Sequence, residues 1–212
     1  MQYLSSHIQA YLPVHVAIIG GGLAGLATAL ALTRVGHRVT VFEQHAEDAP
    51  FSSGGVRIPP NQAKVLLRWG LAEELSKIAS VSRALRFYTC ASCRSSMSAP
   101  EIDAGADGQG ERLGGHSWDQ GILRECGGDW MFTSYAKLRA LLIKAARTNG
   151  ATLRFGTRVE AVDNDAATLT LADGERFSAS VIVGADGSKS VMRSMLFEGE
   201  EQVEDTGFVV FK

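Results

Sequence analysis

The chain contains 212 residues and carries a formal net charge of −2, with a pI near 6.2. Its 45% hydrophobic and 21% charged residues are typical of a globular protein with one domain, or with one domain and part of a second. Neither the charge nor the pI indicates the basic surface that attracts nucleic acids or anionic membranes. We therefore predict no nucleic-acid partner.

The first 13 residues lack the basic, apolar and small-residue regions of a signal peptide. We expect them to form a disordered leader, and we predict a cytoplasmic protein. The three cysteines, Cys90, Cys93 and Cys126, are an odd number, which argues against a disulfide framework. Together with His116 they offer four zinc ligands, but the long, irregular gaps after Cys93 favour plain thiols in a loop region, and we predict no metal site.

Residues 14–43 predict a strand, a helix and a second strand. Residues 14–19 form a short, β-branched apolar run that ends in glycines, as buried parallel strands do. The Ala- and Leu-rich residues 23–35 predict a helix, and residues 38–43 alternate in polarity as a strand does. A membrane span over residues 14–32 is the alternative, but three consecutive glycines inside it disfavour a helix, so we predict no membrane span.

Helical spacing defines the next elements. Residues 59–79 predict two helices separated at Gly70, and residues 134–149 predict a longer helix that Gly150 closes. Between them, residues 80–130 lose their periodicity. We expect a long, irregular surface excursion there.

The last third of the chain predicts short strands followed by a helix. Strands are expected at residues 151–155, 158–163, 167–171, 175–178 and 181–184. The dipeptides Asn164-Asp165 and Asp173-Gly174 mark tight turns, and the second is a strong hairpin signal. A helix is predicted over residues 190–196, and the apolar run at 207–212 predicts one more strand.

Gly20, Gly22 and Gly25 fit the pattern G-x-G-x-x-G between the first strand and the first helix. The first glycine of this pattern permits the tight turn, the second lets the backbone approach a pyrophosphate, and the third allows close packing of helix and strand. Glu43 ends the second strand, roughly 20 residues further on, where a carboxylate accepts hydrogen bonds from ribose hydroxyls. These residues predict a dinucleotide site that prefers FAD or NAD over NADP; the alternative is a glycine-rich turn and a chance surface glutamate.

Asp186 and Gly187 directly follow the predicted strand at 181–184. In parallel α/β sheets, ligands bind at the carboxyl ends of the strands, so Asp186 is a candidate cofactor-binding residue. Gly187 permits close approach of a cofactor. The alternative is an ordinary Asp-Gly turn between a strand and a helix.

Three stretches resemble the FAD-dependent aromatic monooxygenases of the salicylate hydroxylase and p-hydroxybenzoate hydroxylase type, especially their fungal members. Residues 16–43 are similar to the FAD fingerprint of this family, residues 54–61 to the segment that passes near its flavin, and residues 181–193 to its DG motif. The resemblance implies an α/β fold: a Rossmann-like FAD-binding domain with a βαβ unit carrying G-x-G-x-x-G, a β-meander and the DG motif. The start of an incomplete substrate-binding sheet follows it.

The resemblance also implies cofactor contacts for individual residues. It places Gly55 and Val56 near the flavin and gives Asp186 a part in binding both FAD and NAD(P)H. Where the family commonly has an arginine that touches the flavin, this chain has Tyr135. The nearest cation on that helix face is Arg139, at i+4, which either substitutes for that arginine or is an ordinary solvated residue.

The domain limits follow from the same resemblance. Residues 14–200 correspond to the FAD-binding domain, with the excursion at 80–130 inside it. Residues 201–212 correspond to the first strand of a substrate domain. Because members of the family continue for roughly as long again, the resemblance implies a truncated chain.

The function implied is that of a FAD-dependent monooxygenase that hydroxylates an aromatic or phenolic small molecule with NAD(P)H as co-substrate and O2. Another FAD oxidoreductase of the same fold, such as a reductase or an epoxidase, and a non-catalytic remnant stay open as alternatives. We assign no catalytic residue, because no His, Cys or Tyr occupies a context that demands one. The sequence leaves open the substrate, the choice between NADH and NADPH, the oligomeric state, and whether this chain by itself binds FAD or is active.

Overall fold

The computed structural model describes residues 9–50, 54–89, 112–188, 190–196 and 207. Its helices are α1 (Leu23–Arg34), α2 (Pro60–Arg68), α3 (Ala72–Ile78), α4 (Gln120–Cys126), α5 (Tyr135–Thr148) and α6 (Val191–Leu196). Its strands are β1 (His15–Ile19), β2 (Arg38–Phe42), β3 (Gly55–Ile58), β4 (Ser80–Val81), β5 (Ala84–Tyr88), β6 (Arg112–Ser117), β7 (Met131–Ser134), β8 (Thr152–Arg154), β9 (Val159–Asp163), β10 (Thr168–Leu171), β11 (Arg176–Ser178) and β12 (Val181–Gly184). The chain divides into a first unit, Met1–Gly54 with Tyr135–Lys212, and a second unit, Gly55–Ser134.

A four-stranded parallel sheet, in the order β12-β1-β2-β8, forms the centre of the first unit. Strands β1 and β2 are buried along most of their length, which is why apolar residues predominate in both. The register pairs Ile19 of β1 with Phe42 of β2 and with Gly184 of β12. These three strands therefore end at the same edge of the sheet, and the βαβ unit predicted over residues 14–43 is confirmed.

Helices α1 and α5 pack against each other in the first unit. Helix α1 buries one face of its 3.6-residue repeat, formed by Gly25, Leu26, Ala29 and Leu30. It stops at Arg34, and Gly36 follows with a φ of +94°, a left-handed conformation that favours glycine. Helix α5 confirms the long helix predicted over residues 134–149.

The hairpin predicted from the Asp-Gly signal is confirmed, and so is the β-meander that the resemblance implies. Strands β9, β10 and β11 form an antiparallel sheet with β10 in the middle. Leu169 and Leu171 of β10 are fully buried and belong to one hydrophobic cluster with Phe42 and Met192. The meander and the parallel sheet therefore share a core.

The second unit is built from short elements. Strands β3, β7 and β4 form an antiparallel sheet in the order β3-β7-β4, and β5 pairs with β6. The two helices predicted over residues 59–79 are confirmed as α2 and α3. Gly70 separates them with a φ of +81°.

The described part of residues 80–130 is more regular than the sequence led us to expect, because β4, β5, β6 and α4 lie in it. Nearly every residue of β5 and β6 is exposed, so these strands lack the alternation that a buried face imposes. Helix α4 has seven residues, too few to show a helical period. Its start is fixed instead by Asp119, whose carboxylate accepts hydrogen bonds from the N–H groups of Gly121 and Ile122.

Several expectations concern residues outside the described ranges. Of the leader expected at residues 1–13, residues 9–13 are described, and they form neither helix nor strand. The part of the excursion at 90–111 and the strand expected at 207–212, Gly207 apart, lie outside the described residues, so the domain limits stay predictions. Across the described chain, no helix combines the length and the apolar character needed to cross a bilayer.

Candidate functional site

The candidate site lies at the carboxyl edge of the parallel sheet. Gly20, directly after β1, donates its N–H to the carbonyl oxygen of Phe42 at 2.8 Å. Ala185, directly after β12, donates its N–H to the carbonyl oxygen of Ile19 at 2.8 Å. These two bonds bring the glycine turn, the end of β2 and the DG motif together at the edge where α/β sheets bind ligands.

Gly20 and Gly25 are required by the shape of the turn. Gly20 has a φ of +108°, and a Cβ on it would lie 2.2 Å from the carbonyl oxygen of Ala185. A Cβ on Gly25 would lie 1.9 Å from the carbonyl oxygen of Gly20. Both distances are far shorter than a van der Waals contact, so these two glycines let α1 begin directly against the strand ends.

Gly22, in contrast, leaves open space in front of α1. Its φ is −78°, and a Cβ on it would meet nothing closer than the hydroxyl oxygen of Tyr135, at 3.5 Å, an ordinary contact. Gly22 is the N-cap residue, no side chain caps the helix, and the carbonyl oxygen of Gly22 accepts the N–H of Leu26 at 3.0 Å. The N–H groups before Leu26 have no acceptor within the helix, and with the positive end of the helix dipole they form a surface that suits an anion.

Glu43, the residue after β2, has a buried carboxylate held by three hydrogen bonds; the residue is 7% exposed. Its Oε2 accepts the N–H of Gly21 at 2.7 Å, and its Oε1 accepts the N–H of His45 at 2.8 Å. Nδ1 of His45 is also 2.8 Å from Oε1, and because a carboxylate only accepts, this nitrogen carries the proton. A carboxylate has about four acceptor positions, so Glu43 can accept a further hydrogen bond from a ligand hydroxyl.

The environment of Glu43 favours its charged form. Burial by itself raises the pKa of this carboxyl, but the hydrogen bonds from the N–H groups of His45 and Gly21 and from the His45 side chain outweigh it. The pKa of Glu43 is therefore lowered from its ordinary value of 4.5. Glu43 is an anion at neutral pH, as hydrogen bonding to ribose hydroxyls requires.

The lowered pKa of Glu43 predicts a pH-dependent stability. A folded-state pKa below the unfolded value of 4.5 means that the carboxylate stabilises the fold fully above that value and loses its effect as the pH falls through the folded pKa. Glu43→Gln should lower the free energy of unfolding by about 1–3 kcal/mol near neutral pH. Urea denaturation of both proteins should show this difference shrinking below pH 4.5. If the difference in unfolding free energy between the wild type and Glu43→Gln grew on acidification, the lowered pKa of Glu43 would be contradicted.

Asp186 binds the beginning of α6. Its Oδ1 accepts the hydroxyl of Ser190 at 2.6 Å, and its Oδ2 accepts the N–H of Met192 at 3.2 Å. Gly187 has a φ of +82°, and no atom lies within 4 Å of the position a Cβ would take. The backbone conformation alone thus accounts for this glycine, and a cofactor contact by Asp186 and Gly187 stays a prediction.

Arg139 is buried, with 4% of its surface exposed, so the alternative of a solvated helix arginine is wrong. Its Nε donates to the carbonyl oxygen of Gly21 at 3.0 Å, and its Nη1 donates to the carbonyl oxygen of Glu47 at 3.4 Å. Burial lowers the pKa of Arg139, and the nearby negative charge of Glu43 offsets part of that effect. The guanidinium therefore lies behind the glycine turn and holds its backbone.

A groove of about 450 Å³ runs along the sheet edge, and we call it the sheet-edge groove. It is lined by residues 19, 20, 22, 42–45, 157–162, 185–187 and 192. Of the residues predicted to bind the cofactor, it brings together Gly20, Gly22, Glu43, Asp186 and Gly187. Gly25 packs under the turn and Arg139 lies behind it. Gly55 and Val56 lie on β3 in the second unit.

Sequence reasoning missed three features of the groove. Gly21, an unspecified position of the glycine pattern, is crowded: a Cβ on it would lie 2.8 Å from the Cβ of Glu43. His45 orients Glu43 through two hydrogen bonds. Residues 157–162 form one wall of the groove, and the N–H of Thr157 donates to the carbonyl oxygen of Glu43 at 2.8 Å. A glutamate followed two residues later by histidine was the only local signal in the sequence.

Proteins named as monooxygenases or hydroxylases match most of the chain. The FAD-dependent monooxygenase OpS4 of Beauveria bassiana is 31% identical over 87% of this chain and 40% of the relative. Hispidin-3-hydroxylase of Neonothopanus nambi is 31% identical over 93% of this chain and 43% of the relative. The 3-amino-4-hydroxybenzoate 2-monooxygenase PtmB3 of Streptomyces platensis is 32% identical over 90% of this chain and 43% of the relative. The chain thus spans about two fifths of the length of these proteins.

Solved structures of similar proteins match most of the chain as well. PqsL of Pseudomonas aeruginosa, in complex with 2-aminobenzoylacetate, has a TM-score of 0.71 and 25% identity, over 92% of this chain and 48% of PqsL. The 2-methyl-3-hydroxypyridine-5-carboxylic acid oxygenase has a TM-score of 0.65 at 23% identity, over 84% of this chain and 41% of the oxygenase, which supports the fold. The profile of the FAD binding domain family matches residues 13–211. Because that match takes in nearly the whole chain, the chain belongs to the FAD binding domain family, and its cofactor is FAD.

Proposed function

We propose that the sheet-edge groove holds the adenosine diphosphate part of FAD in a FAD-dependent monooxygenase that hydroxylates an aromatic or phenolic small molecule with NAD(P)H and O2. One observation supports the binding mode above all others. The open N-terminus of α1 and the carboxylate of Glu43, which suit a pyrophosphate and a ribose respectively, line the same groove.

The groups present fit this ligand in chemical type. The first-turn N–H groups of α1 and the positive dipole end match the charge of a pyrophosphate. Gly22 presents only hydrogen at the groove, so phosphate oxygens can come close to the backbone. Glu43 is a charged acceptor for ribose hydroxyls, because hydrogen bonds already hold its carboxylate at the groove wall.

The remaining residue assignments are proposals that rest mainly on the resemblance. Asp186 and Gly187 line the groove at the end of β12 and are proposed to bind the cofactor there. Gly55 and Val56, on β3, are proposed to contact the flavin. The resemblance would place Arg139 against the flavin; its hydrogen bond to the carbonyl oxygen of Gly21 instead supports a role in holding the glycine turn.

The proposed reaction class rests on the relatives. Those whose names state a substrate include a hispidin hydroxylase and an aminohydroxybenzoate monooxygenase, and the second name states a substituted aromatic ring. In such proteins the flavin supplies the redox chemistry, and the polypeptide binds it, orients it and excludes water. The residues of this chain are proposed to do the binding and the orienting.

Substitution of Glu43 tests the binding mode. Glu43→Gln should lower the affinity of the chain for FAD about tenfold to a hundredfold, because charged hydrogen bonds to the ribose are lost. Titration calorimetry measures this change. Glu47→Gln is the matched control: this nearby acid is exposed, pairs with Arg147 and does not line the sheet-edge groove. Equal losses of FAD affinity in Glu43→Gln and Glu47→Gln, or no loss in either variant, would count against the proposed binding mode.

Labelled oxygen tests the reaction class. With NAD(P)H and a phenolic substrate, a protein that carries this domain should transfer one atom of isotopically labelled O2 into the product. Mass spectrometry of the product detects that atom. Oxidation of NAD(P)H with no labelled product from any phenol would favour a reductase and contradict the monooxygenase proposal.

A further inference from the structure

Arg139 reaches the glycine turn from behind rather than from the sheet-edge groove. It does not line that groove. Its Nε donates to the carbonyl oxygen of Gly21, a residue 118 positions away in the sequence. A buried guanidinium that donates to a backbone carbonyl restrains the peptide group that contains the carbonyl.

The restrained peptide is the one that joins Gly21 to Gly22. No cis peptide bond occurs in the described residues, so the N–H of Gly22 points in the direction opposite to the Gly21 carbonyl. The bond from Arg139 therefore fixes the direction of that N–H. Gly22 lines the groove, and its N–H lies at the open end of α1.

The peptide group that joins Gly20 to Gly21 is also restrained by a hydrogen bond. The N–H of Gly21 donates to Oε2 of Glu43 at 2.7 Å. Arg139 is anchored in turn by its bond from Nη1 to the backbone carbonyl oxygen of Glu47 at 3.4 Å. Two buried charged side chains thus hold the two peptide groups that flank Gly21.

We propose that Arg139 is a positioning residue for the pyrophosphate site: through its hydrogen bond to the Gly21 carbonyl it sets the direction of the Gly22 N–H, without touching the cofactor. This inference rests on the proposed function. It assigns Arg139 a role different from direct contact with the flavin. It also explains why an arginine is buried next to a turn made only of glycines.

Two substitutions with side chains of equal length distinguish the effect of the Arg139 hydrogen bond from the effect of its charge. The Nε2 of a glutamine stands at the same number of bonds from the backbone as the Nε of arginine, and a methionine has the same length without a donor. Arg139→Met should weaken binding of ADP about tenfold, while Arg139→Gln should stay within about threefold of the wild-type chain. Equal losses of ADP affinity in both variants would show that the charge acts directly, and would overturn the proposal. Should Arg139→Met fail to fold, Arg139→Gln decides alone, because a direct charge contact predicts about a tenfold loss.

Adenosine serves as the internal control, since it has the ribose and lacks the phosphates. Its affinity should stay within about twofold in both variants. A parallel loss of adenosine and ADP binding in Arg139→Met would indicate a general structural role and contradict the proposal. No binding of ADP to the wild-type chain would instead refute the proposed function together with this inference.

Nuclear magnetic resonance gives a readout without ligand. The amide proton resonance of Gly22 should move in Arg139→Met and stay near its wild-type position in Arg139→Gln. Arg147→Gln, which removes an exposed ion pair on the same helix, is the matched control and should leave the resonance in place. An unmoved Gly22 resonance in folded Arg139→Met would overturn the proposal even if ADP binds as proposed.

Discussion

Gly25→Ala should destabilise the protein by about 3 kcal/mol or more, because it inserts a methyl group where the backbone leaves no room. The new Cβ would lie 1.9 Å from the carbonyl oxygen of Gly20. That oxygen cannot move easily, since the N–H of Gly20 is bonded to β2 and a Cβ on Gly20 itself would collide with Ala185. The helix must therefore move away from the strand ends. In a chain of this size, we expect the melting temperature to fall by roughly 6–12 °C.

Thermal and urea denaturation measure this effect, and Gly174→Ala is the matched control. Gly174 also lies in the first unit and has a φ of +86°, but no atom lies within 4 Å of the position of its Cβ. Gly174→Ala should cost only the backbone strain of a left-handed alanine, about 1 kcal/mol. If Gly25→Ala were no more destabilising than this control, the close packing of α1 against the sheet edge would be refuted.

Gly22→Ala should separate binding from stability. The backbone conformation suits alanine, and the nearest atom to its Cβ would be the Tyr135 hydroxyl oxygen at an ordinary 3.5 Å. We therefore expect a change in unfolding free energy of no more than about 1 kcal/mol. The methyl group would nevertheless occupy the space in front of the α1 N–H groups, and FAD affinity should fall about a hundredfold or more because the phosphate loses those donors.

Calorimetric titration with FAD and urea denaturation of the same variant test this separation. Gly174→Ala again serves as the control, with unchanged FAD affinity, since Gly174 does not line the groove. A Gly22→Ala chain that binds FAD as tightly as the wild type would refute the placement of the pyrophosphate. A chain that loses binding because it unfolds would refute the steric analysis of Gly22.

The helices and strands of the first unit could be predicted from the sequence because each of them has a local sequence signal. Strand β1 is a β-branched apolar run, β2 alternates in polarity, α1 lies between glycines, and the meander carries an Asp-Gly turn. The convergence of Glu43 with the glycine turn could also be predicted. In a parallel sheet the carboxyl ends of adjacent strands meet at one edge, so the residues after β1 and β2 become neighbours.

The sequence could not predict contacts between residues far apart in the chain, or strands that are mostly exposed to solvent. Nothing near Arg139 indicates that its guanidinium will bind the carbonyl oxygen of a residue 118 positions away. In the sequence, His45 is indistinguishable from an ordinary loop histidine; only the structure shows its ring hydrogen-bonded to Glu43. Strands β5 and β6 bury too little surface to leave an alternating pattern, so the sequence gives no sign of their pairing.

A crystal structure of the chain with FAD tests the central claim most directly. We predict that the ribose hydroxyls lie within hydrogen-bond distance of the Glu43 carboxylate. The pyrophosphate should lie at the start of α1, in contact with the N–H of Gly22. A cofactor bound away from the sheet-edge groove, or a Glu43 carboxylate that makes no contact with the ribose, would contradict the account.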